Sequence, residues 1–486
     1  MMAVALAIDV GTSSVRASLW TERGVRVGEI VARATSLRVS ADGAAEFDAE
    51  DLLHAVESAL DSLLDSAGGL ACEIVAVGTS CFWHSLVGVD DAGHAVTTVT
   101  TWADTRARAI AARLRASTDA AAFHARTGAE LHSSYPVVRL AWLAGQELPA
   151  SRSVATWLSF PDYMRLRFFG VVSTGASMAS GSGLFNPNAN DWDDAALALA
   201  GIRRSQLPEI VDTPAVGLAG DYARRWPAIA IVPWFAAIGD GACATIGSGC
   251  VGPDRMALSL GTSGALRIVV EARNVDVPEG LFAYRIDARR WVIGGALSEG
   301  GAVVRWLAAT VGLALDADLD ARVDDMPADG HGLTILPFAT GERSPGWADN
   351  ARCTITGLTL GTSPVAILRA ALESVAFRFQ LIADRLREVA PEAAEIVGSG
   401  GALVASPAWC RILADVLGRP LVVPDCAESS SRGAALLAIE ATDEGFALGD
   451  VAPLPGLAVL PDASCRDVYR AAALRQQKLY DAIISK

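Results

Sequence analysis

What the chain lacks narrows its function first. No run of Lys or Arg is long enough to track a phosphate backbone, and the formal net charge is −15, so nucleic acid and anionic membrane surfaces are excluded as expected partners. An anionic small molecule stays open as a substrate, because one local cationic pocket can defeat a net negative field. The eight cysteines, at 72, 81, 243, 250, 353, 410, 426 and 465, include no CxxC pair, which argues against a zinc knuckle or a redox dithiol. Their apolar surroundings favour reduced thiols in a cytosolic protein. No uninterrupted apolar stretch reaches the roughly 18 residues of a membrane helix. No basic leader opens the chain, and Asp9 interrupts its first apolar run. The expectation is a soluble, cytoplasmic protein. GxxxxGK[ST] is also absent, which excludes a lysine P-loop.

What is present is an apolar chain of 486 residues, 51% hydrophobic and 20% charged, the composition of a well-packed globular protein. Its length predicts two domains, expected over 1–248 and 249–486. Strand-like runs such as "EIVAVGTS" and "AEIVGSGGALVA" alternate with helical patterns such as "DTRARAIAARLRA" and "SPAWCRILADVLG", which indicates an α/β fold.

The opening stretch "AIDVGTSSVRASLW" (7–20) has a second copy, "ALSLGTSGALRIVV" (257–270), at a constant offset of 250. Gly11, Thr12 and Ser13 meet Gly261, Thr262 and Ser263, while Asp9 meets Ser259. A repeat at half the chain length suggests that each domain opens with a like hairpin, although small residues dominate hairpin turns in any protein. Glycine permits close backbone approach, successive turn amides form an anion-binding concavity, and hydroxyls add donors. Such a turn can hold a polyphosphate without a lysine. The charge must then be offset by Mg2+, which prefers carboxylates and water. Asp9 is the candidate ligand, with a turn-capping aspartate as the plainer alternative.

Two further turns carry the same character. "GSGGA" (398–402) joins a strand to a helix, where glycines let a ribose or flat ring lie against the backbone. In "WFAAIGDGACATIGSG" (234–249), Asp240 stands between Gly239 and Gly241 at the start of a helix. A helix cap is the commonest use of such an aspartate. The flanking glycines suggest instead that space has been cleared for something to approach.

With these elements in order, the chain resembles the FGGY family of carbohydrate kinases, and the resemblance runs nearly end to end. "IDVGTSS" and "LGTSG" are similar to the two phosphate motifs, "GSGGALVASPAWCRILADVLGRPL" to the adenosine motif and "IGDGACATIG" to the segment of the catalytic aspartate. "LPFATGERSPGWADNARCTITGLTLG" (336–361) is similar to the family's linker segment. "HSLVGVDDAGHAVTTVTTWADTRA" and "RTGAELHSSYPVVRLAWL" look most like the gluconokinase branch, with xylulokinases as near relatives. Two departures bear on the acceptor: Ala236, Ala237 and Ile238 replace a glycine-rich run, and Ser133 stands where proline is usual.

The resemblance implies a two-domain actin/hexokinase-type (ribonuclease H-like) ATPase fold with duplicated domains around a cleft. It also implies ATP and Mg2+, and phosphorylation of a primary hydroxyl of a small sugar or sugar acid, gluconate first. Asp240 would accept the hydroxyl proton, ionised at neutral pH and acting mainly by orientation. Asp9 and Asp240 would face the metal. Gly11, Thr12, Ser13, Gly261, Thr262 and Ser263 would hold the phosphates, and Gly400, Gly401 and Ala402 the adenosine. Closure of the cleft would exclude water. On the acceptor side the expected residues are Trp83, His84, Trp102, Asp104, Arg106 and His132, with Arg106, Arg139 and His132 as partners for a carboxylate. Trp83 and Trp102 read equally as core packing, and His84 as a satisfied core histidine. Xylulose or another polyol, or a binding protein without turnover, are the rival readings. The C-terminal helix "SCRDVYRAAALRQQKLYDAI" packs on its own domain by default, or on a second copy in a homodimer.

Overall fold

The computed structural model describes residues 3–146, 153–425 and 428–484. Cys426 lies outside these, and the other seven cysteines are all unpaired. Two sheets organise the chain. The first has five strands in the order Ile238–Gly239, Ile74–Cys81, Val4–Val10, Ser14–Thr21 and Arg26–Ala34. The second has seven, in the order Phe282–Arg285, Arg290–Leu297, Gly264–Glu271, Arg255–Leu260, Glu395–Ser399, Leu421–Pro424 and Gly456–Val459. Val4–Val10 is buried along its whole length because both faces of its sheet are covered, so its apolar run shows no alternation.

The two sheets share a plan. In the first, Val4–Val10 pairs antiparallel with Ser14–Thr21 and parallel with Ile74–Cys81. In the second, Arg255–Leu260 pairs antiparallel with Gly264–Glu271 and parallel with Glu395–Ser399. Asp9 lies opposite Ser80 and Ser259 opposite Ser399, so the repeat in sequence is a repeat in topology. The constant offset holds only through the turn. Val10 pairs with Val15, whereas Leu260 pairs with Gly264, so the second hairpin is one residue shorter and its return strand runs one step ahead.

The lobes are laced together by helices. Ser429–Thr442, although late in sequence, packs on Val4–Val10 and Ile74–Cys81 of the first sheet and crosses Asp240–Gly247. The crossing is close enough that a Cβ on Gly433 would fall on the Cys243 carbonyl, and one on Gly247 on the Ser429 carbonyl. Ala49–Ala67, capped by the Asp48 carboxylate, buries Leu52, Leu53, Val56, Leu60 and Leu63 against the first sheet. Pro364–Leu386 forms the spine of the second core with Pro407–Leu417. The C-terminal helix Arg466–Ile483 lies on its own lobe, where Gln476 Nε2 donates to the Ile335 and Ser374 carbonyls and Tyr480 to Glu342.

Candidate active site

The strand register brings the acidic residues to one place. Val4–Val10, Ile74–Cys81 and Ile238–Gly239 run parallel, and their ends carry Asp9, Ser80 and the lead into Asp240. Ligands of open α/β sheets bind at such carboxyl ends. Asp9 is buried; its Oδ1 accepts from Ser80 Oγ at 2.7 Å, and Arg16 Nη1 lies 3.5 Å from its Oδ2. Arg16 also reaches Glu428 at 3.6 Å, which brings a third acid to the cluster. Burial pushes the Asp9 carboxyl up, against the pull of Ser80 and Arg16.

Asp240 opens the helix Asp240–Gly247. Burial moves its pKa up to about 6, with Asp9 adding repulsion and Arg267 opposing. The carboxylate is therefore more basic than an ordinary aspartate, whereas the sequence pointed to an ionised group acting mainly by orientation. Arg267 returns along its strand to donate from Nη1 to Ser259 Oγ at 3.1 Å, and desolvation lowers it to about 10. The glycines beside Asp240 make room for protein: a Cβ on Gly239 would fall inside the Trp83 indole, and one on Gly241 would stand 2.8 Å from both Trp83 and Arg267. Sequence inspection missed Arg267, whose only mark is a cation interrupting an apolar strand.

The second hairpin lies beside the glycine turn at 398–402. Gly400, at φ +104°, sits where a Cβ would strike the Leu260 carbonyl, so glycine is required for the turn to approach the hairpin. Gly401 and Ala402 line a cavity of about 320 Å3 together with Gly301, Arg305, Leu372 and Trp409. Arg305 spans from this cavity to Thr262, donating from Nη2 to Oγ1 at 3.3 Å. The Gly301 N–H closes on the Gly261 carbonyl at 2.7 Å, tying the hairpin turn to the start of the helix Gly301–Thr310.

Between the lobes lies a cavity of about 580 Å3 whose walls include Trp102, His132, Ser134, Thr262, Ser263 and Arg343. Of the six acceptor-side residues expected from sequence, Trp102 and His132 line it and four do not. Trp83 is core: its Nε1 donates to the Ser177 carbonyl at 3.0 Å and its ring meets Tyr284 edge-on at 5.0 Å. His84 is a satisfied core histidine at φ +66°, its Nδ1 bonded to the Gly181 carbonyl at 2.6 Å, and burial pushes its pKa down to about 3. Asp104 and Arg106 form a fork–fork pair extended to Glu46 at 2.8 Å, with the guanidinium over Trp142. The expected carboxylate partners are likewise committed. Arg139 donates to Thr100 Oγ1, to the Thr101 carbonyl and to His84 O. His132 accepts at Nδ1 from the Ser134 N–H, and its Nε2 lies 2.7 Å from Asp349.

One cavity cation is uncommitted. Among the described residues the Arg343 side chain makes no hydrogen bond or ion pair, and its Nε is buried without a partner. Its guanidinium carbon stands 5.6 Å from the Trp102 ring centroid and 6.0 Å from that of Trp347, within cation–π range of both. Trp347 is itself held at φ +52°, a conformation costly for a bulky residue.

The residues present fit a hard divalent cation. Burial pushes both the Asp9 and the Asp240 carboxyl up, and Asp9 adds repulsion at Asp240, a strain on two desolvated carboxylates that such an ion relieves. The cluster of Asp329, His331 and Glu373 does not fit one, because Arg475 already pairs with Asp329 and Arg369 with Glu373.

Comparison with known proteins accords with this geometry. Residues 4–247 match the N-terminal domain of the FGGY family of carbohydrate kinases, and residues 256–442 match its C-terminal domain. The chain belongs to the FGGY family of carbohydrate kinases. It is 26% identical over 463 residues to a gluconokinase of Bacillus subtilis (91% of this chain, 88% of the relative). It is 32% identical over 455 residues to a glycerol kinase of Aromatoleum aromaticum (90% of each). A ligand-bound xylulose kinase from Lactobacillus acidophilus superposes with a TM-score of 0.91 at 25% identity, covering 99% of this chain and 98% of that one. The protein is a sugar kinase of the two-domain actin/hexokinase-like fold, and no helix among its described residues is long and apolar enough to cross a membrane.

Proposed function

We propose that the protein transfers the γ-phosphoryl group of ATP to the terminal primary hydroxyl of gluconate, giving 6-phosphogluconate. The observation that carries the transfer chemistry is the position of Asp240: a partly desolvated carboxylate near pKa 6 that follows the ends of three parallel strands and feels the charges of Asp9 from the first hairpin and Arg267 from the second. Phosphoryl transfer asks the protein mainly for positioning and charge stabilisation. In this reading the adenosine part lies in the cavity of Gly401, Ala402 and Trp409, and the phosphates meet the turns Gly11–Ser13 and Gly261–Ser263. Asp240 holds the acceptor hydroxyl in line and takes its proton as the new P–O bond forms and the bond from the γ-phosphorus to the bridging oxygen breaks, releasing ADP. Arg267 steadies the Asp240 charge from the second lobe. Asp9 and Asp240 would hold Mg2+, which when bound would supply charge neutralisation for the phosphate oxygens. Trp102, His132 and Ser134 wall the acceptor side.

The choice of gluconate rests on the gluconokinase relative and the gluconokinase-like segments near residues 84–107 and 126–143. A neutral polyol or ketose is the second reading, favoured by the likeness to the glycerol and xylulose kinases. Coupled ADP release with Mg·ATP against gluconate, xylulose, ribulose and glycerol decides between them. Turnover with gluconate above the other acceptors supports the reading, and turnover with a neutral acceptor alone overturns it.

A further inference from the structure

The cleft contains a cation that makes no hydrogen bond or ion pair among the described residues. Arg343 lines the acceptor cavity; it feels the charges of Asp240 and Glu299 without a hydrogen bond to either, and the other carboxylates around it are already used. Glu342 accepts from Arg378 and from Tyr480. Asp349 pairs with His132 and with Arg115, the latter at 3.1 Å. Glu299 accepts from both the N–H and the hydroxyl of Thr340 at 2.9 Å. A desolvated guanidinium without a counter-ion is expensive, and the cost is recovered when a ligand supplies the anion.

The surroundings select among anions. Arg343 lies with Trp102, His132 and Ser134, while Thr262 and Ser263 of the phosphate hairpin also border the cavity. Arg305, not Arg343, bonds Thr262. The cavity therefore joins a phosphoryl-bearing wall, hydroxyl-rich walls suited to a polyol, and a planar cation flanked by two indoles. The two indoles stand within cation–π range of the guanidinium, whose N–H groups make no hydrogen bond among the described residues, which suits the bidentate recognition of a carboxylate.

We propose that Arg343 is the specificity-determining residue of this kinase, binding the carboxylate of an aldonic acid acceptor whose far hydroxyl reaches Asp240. This rests on the gluconate reading above and deepens it by naming the group that separates acids from neutral polyols. Arg106, Arg139 and His132 cannot serve in its place without giving up their internal partners.

The test compares kcat/KM for gluconate and for its neutral amide, gluconamide, in the wild type, Arg343→Gln and Arg343→Lys. The wild type should prefer the acid by about 100-fold or more, and Arg343→Gln should lose most of that preference through gluconate alone, leaving the amide within roughly threefold. Arg343→Lys should fall between them, because a point charge keeps the attraction and loses the fork. Equal losses on both acceptors would assign Arg343 to the phosphoryl group or to the fold, and an unchanged preference would leave it no role in specificity; either overturns the proposal. If Arg343→Gln does not fold, judged by thermal melting and Mg·ADP binding, the same ratio in Arg343→Lys decides. Wild-type turnover of neutral acceptors alone overturns the gluconate reading and this one together. Wild-type turnover of gluconate with the ratio unmoved in the variants overturns only the role of Arg343.

Discussion

The Trp83 indole fills the space that a side chain at residue 239 would need, so the position of Asp240 is set by an aromatic ring packed beneath the preceding glycine. Gly239→Ala therefore forces either the ring or the strand end to move. Overpacking of this kind costs about 1–3 kcal/mol, and a shift of about 1 Å at the base can cost on the order of 100-fold in rate. We expect kcat to fall by roughly ten- to a hundredfold with KM for ATP near wild type, and Trp83→Phe to restore part of the loss by shrinking the ring. Wild-type kinetics in Gly239→Ala would show that the ring does not set the base.

Asp240→Asn should lower kcat by about 10²–10⁴-fold. In the wild type, kcat/KM should decline on the acid side with an apparent pKa of about 6, the folded-state value for Asp240. An acid limb governed by an unperturbed carboxylate near pH 4, or turnover unchanged in the variant, would remove Asp240 from the base's role.

The same raised pKa makes a stability prediction. A carboxyl whose folded pKa lies above its unfolded one favours the native state fully below the unfolded value and loses that contribution as pH rises through the folded value. For Asp240 the window runs from 3.8 to about 6. Above it the ionised group costs up to about 3 kcal/mol, less where the cleft admits water. Metal-free Asp240→Asn should therefore melt above the wild type at about pH 8, the difference shrinking towards about pH 4. A constant difference across that range would mean that the carboxylate is not penalised in the fold.

How much of this was legible in the sequence depends on how far each residue lies from its partners. The two hairpins and Asp240 are carried by short runs of glycine and hydroxyl residues, so residues 7–20, 257–270 and 238–247 announce themselves locally. The second hairpin's missing residue is hidden, because Gly264 and Ala265 align without a gap and only the strand register reveals the slip. His84, Asp104 and Arg106 look like site residues because they are polar in apolar surroundings. Asp104 and Arg106 in fact satisfy each other, and the further partners, Gly181 O for His84 and Glu46 for Arg106, lie far along the chain and are invisible to pattern. Arg267 and Arg343 show the converse. Arg267 is marked only as a cation in an apolar strand and Arg343 only as part of the 336–361 segment, and each becomes a site candidate when the fold sets it against Asp240 or in the cleft with its bonds unfilled.

The aspartate that distinguishes the first hairpin from its copy offers a direct substitution, since Asp9→Ser gives the first strand the residue that the second carries at Ser259. Ser80 and Arg16 would lose their acceptor, but the hairpin's backbone pairing is unchanged by the swap. The Mg2+ concentration for half-maximal rate should rise by about tenfold or more, with acceptor KM little altered, because one carboxylate ligand of a hard cation is gone. An unchanged Mg2+ dependence would make Asp9 a turn residue only.

Ala402 lines the cavity assigned to the adenine ring, together with Trp409 and Leu372. A Cβ on Gly301 would lie 3.5 Å from the Ala402 Cβ, so a larger side chain at 402 has little room except in the cavity itself. Ala402→Phe should fill much of that space and weaken ADP binding, measured by calorimetry, by at least about tenfold, as expected when an aromatic ligand surface loses its apolar pocket. The acceptor side lies in a separate cavity, so gluconate protection against thermal unfolding should survive the substitution. Weakened gluconate protection with ADP affinity intact would move the nucleotide out of this cavity and reverse the assignment of the two sites.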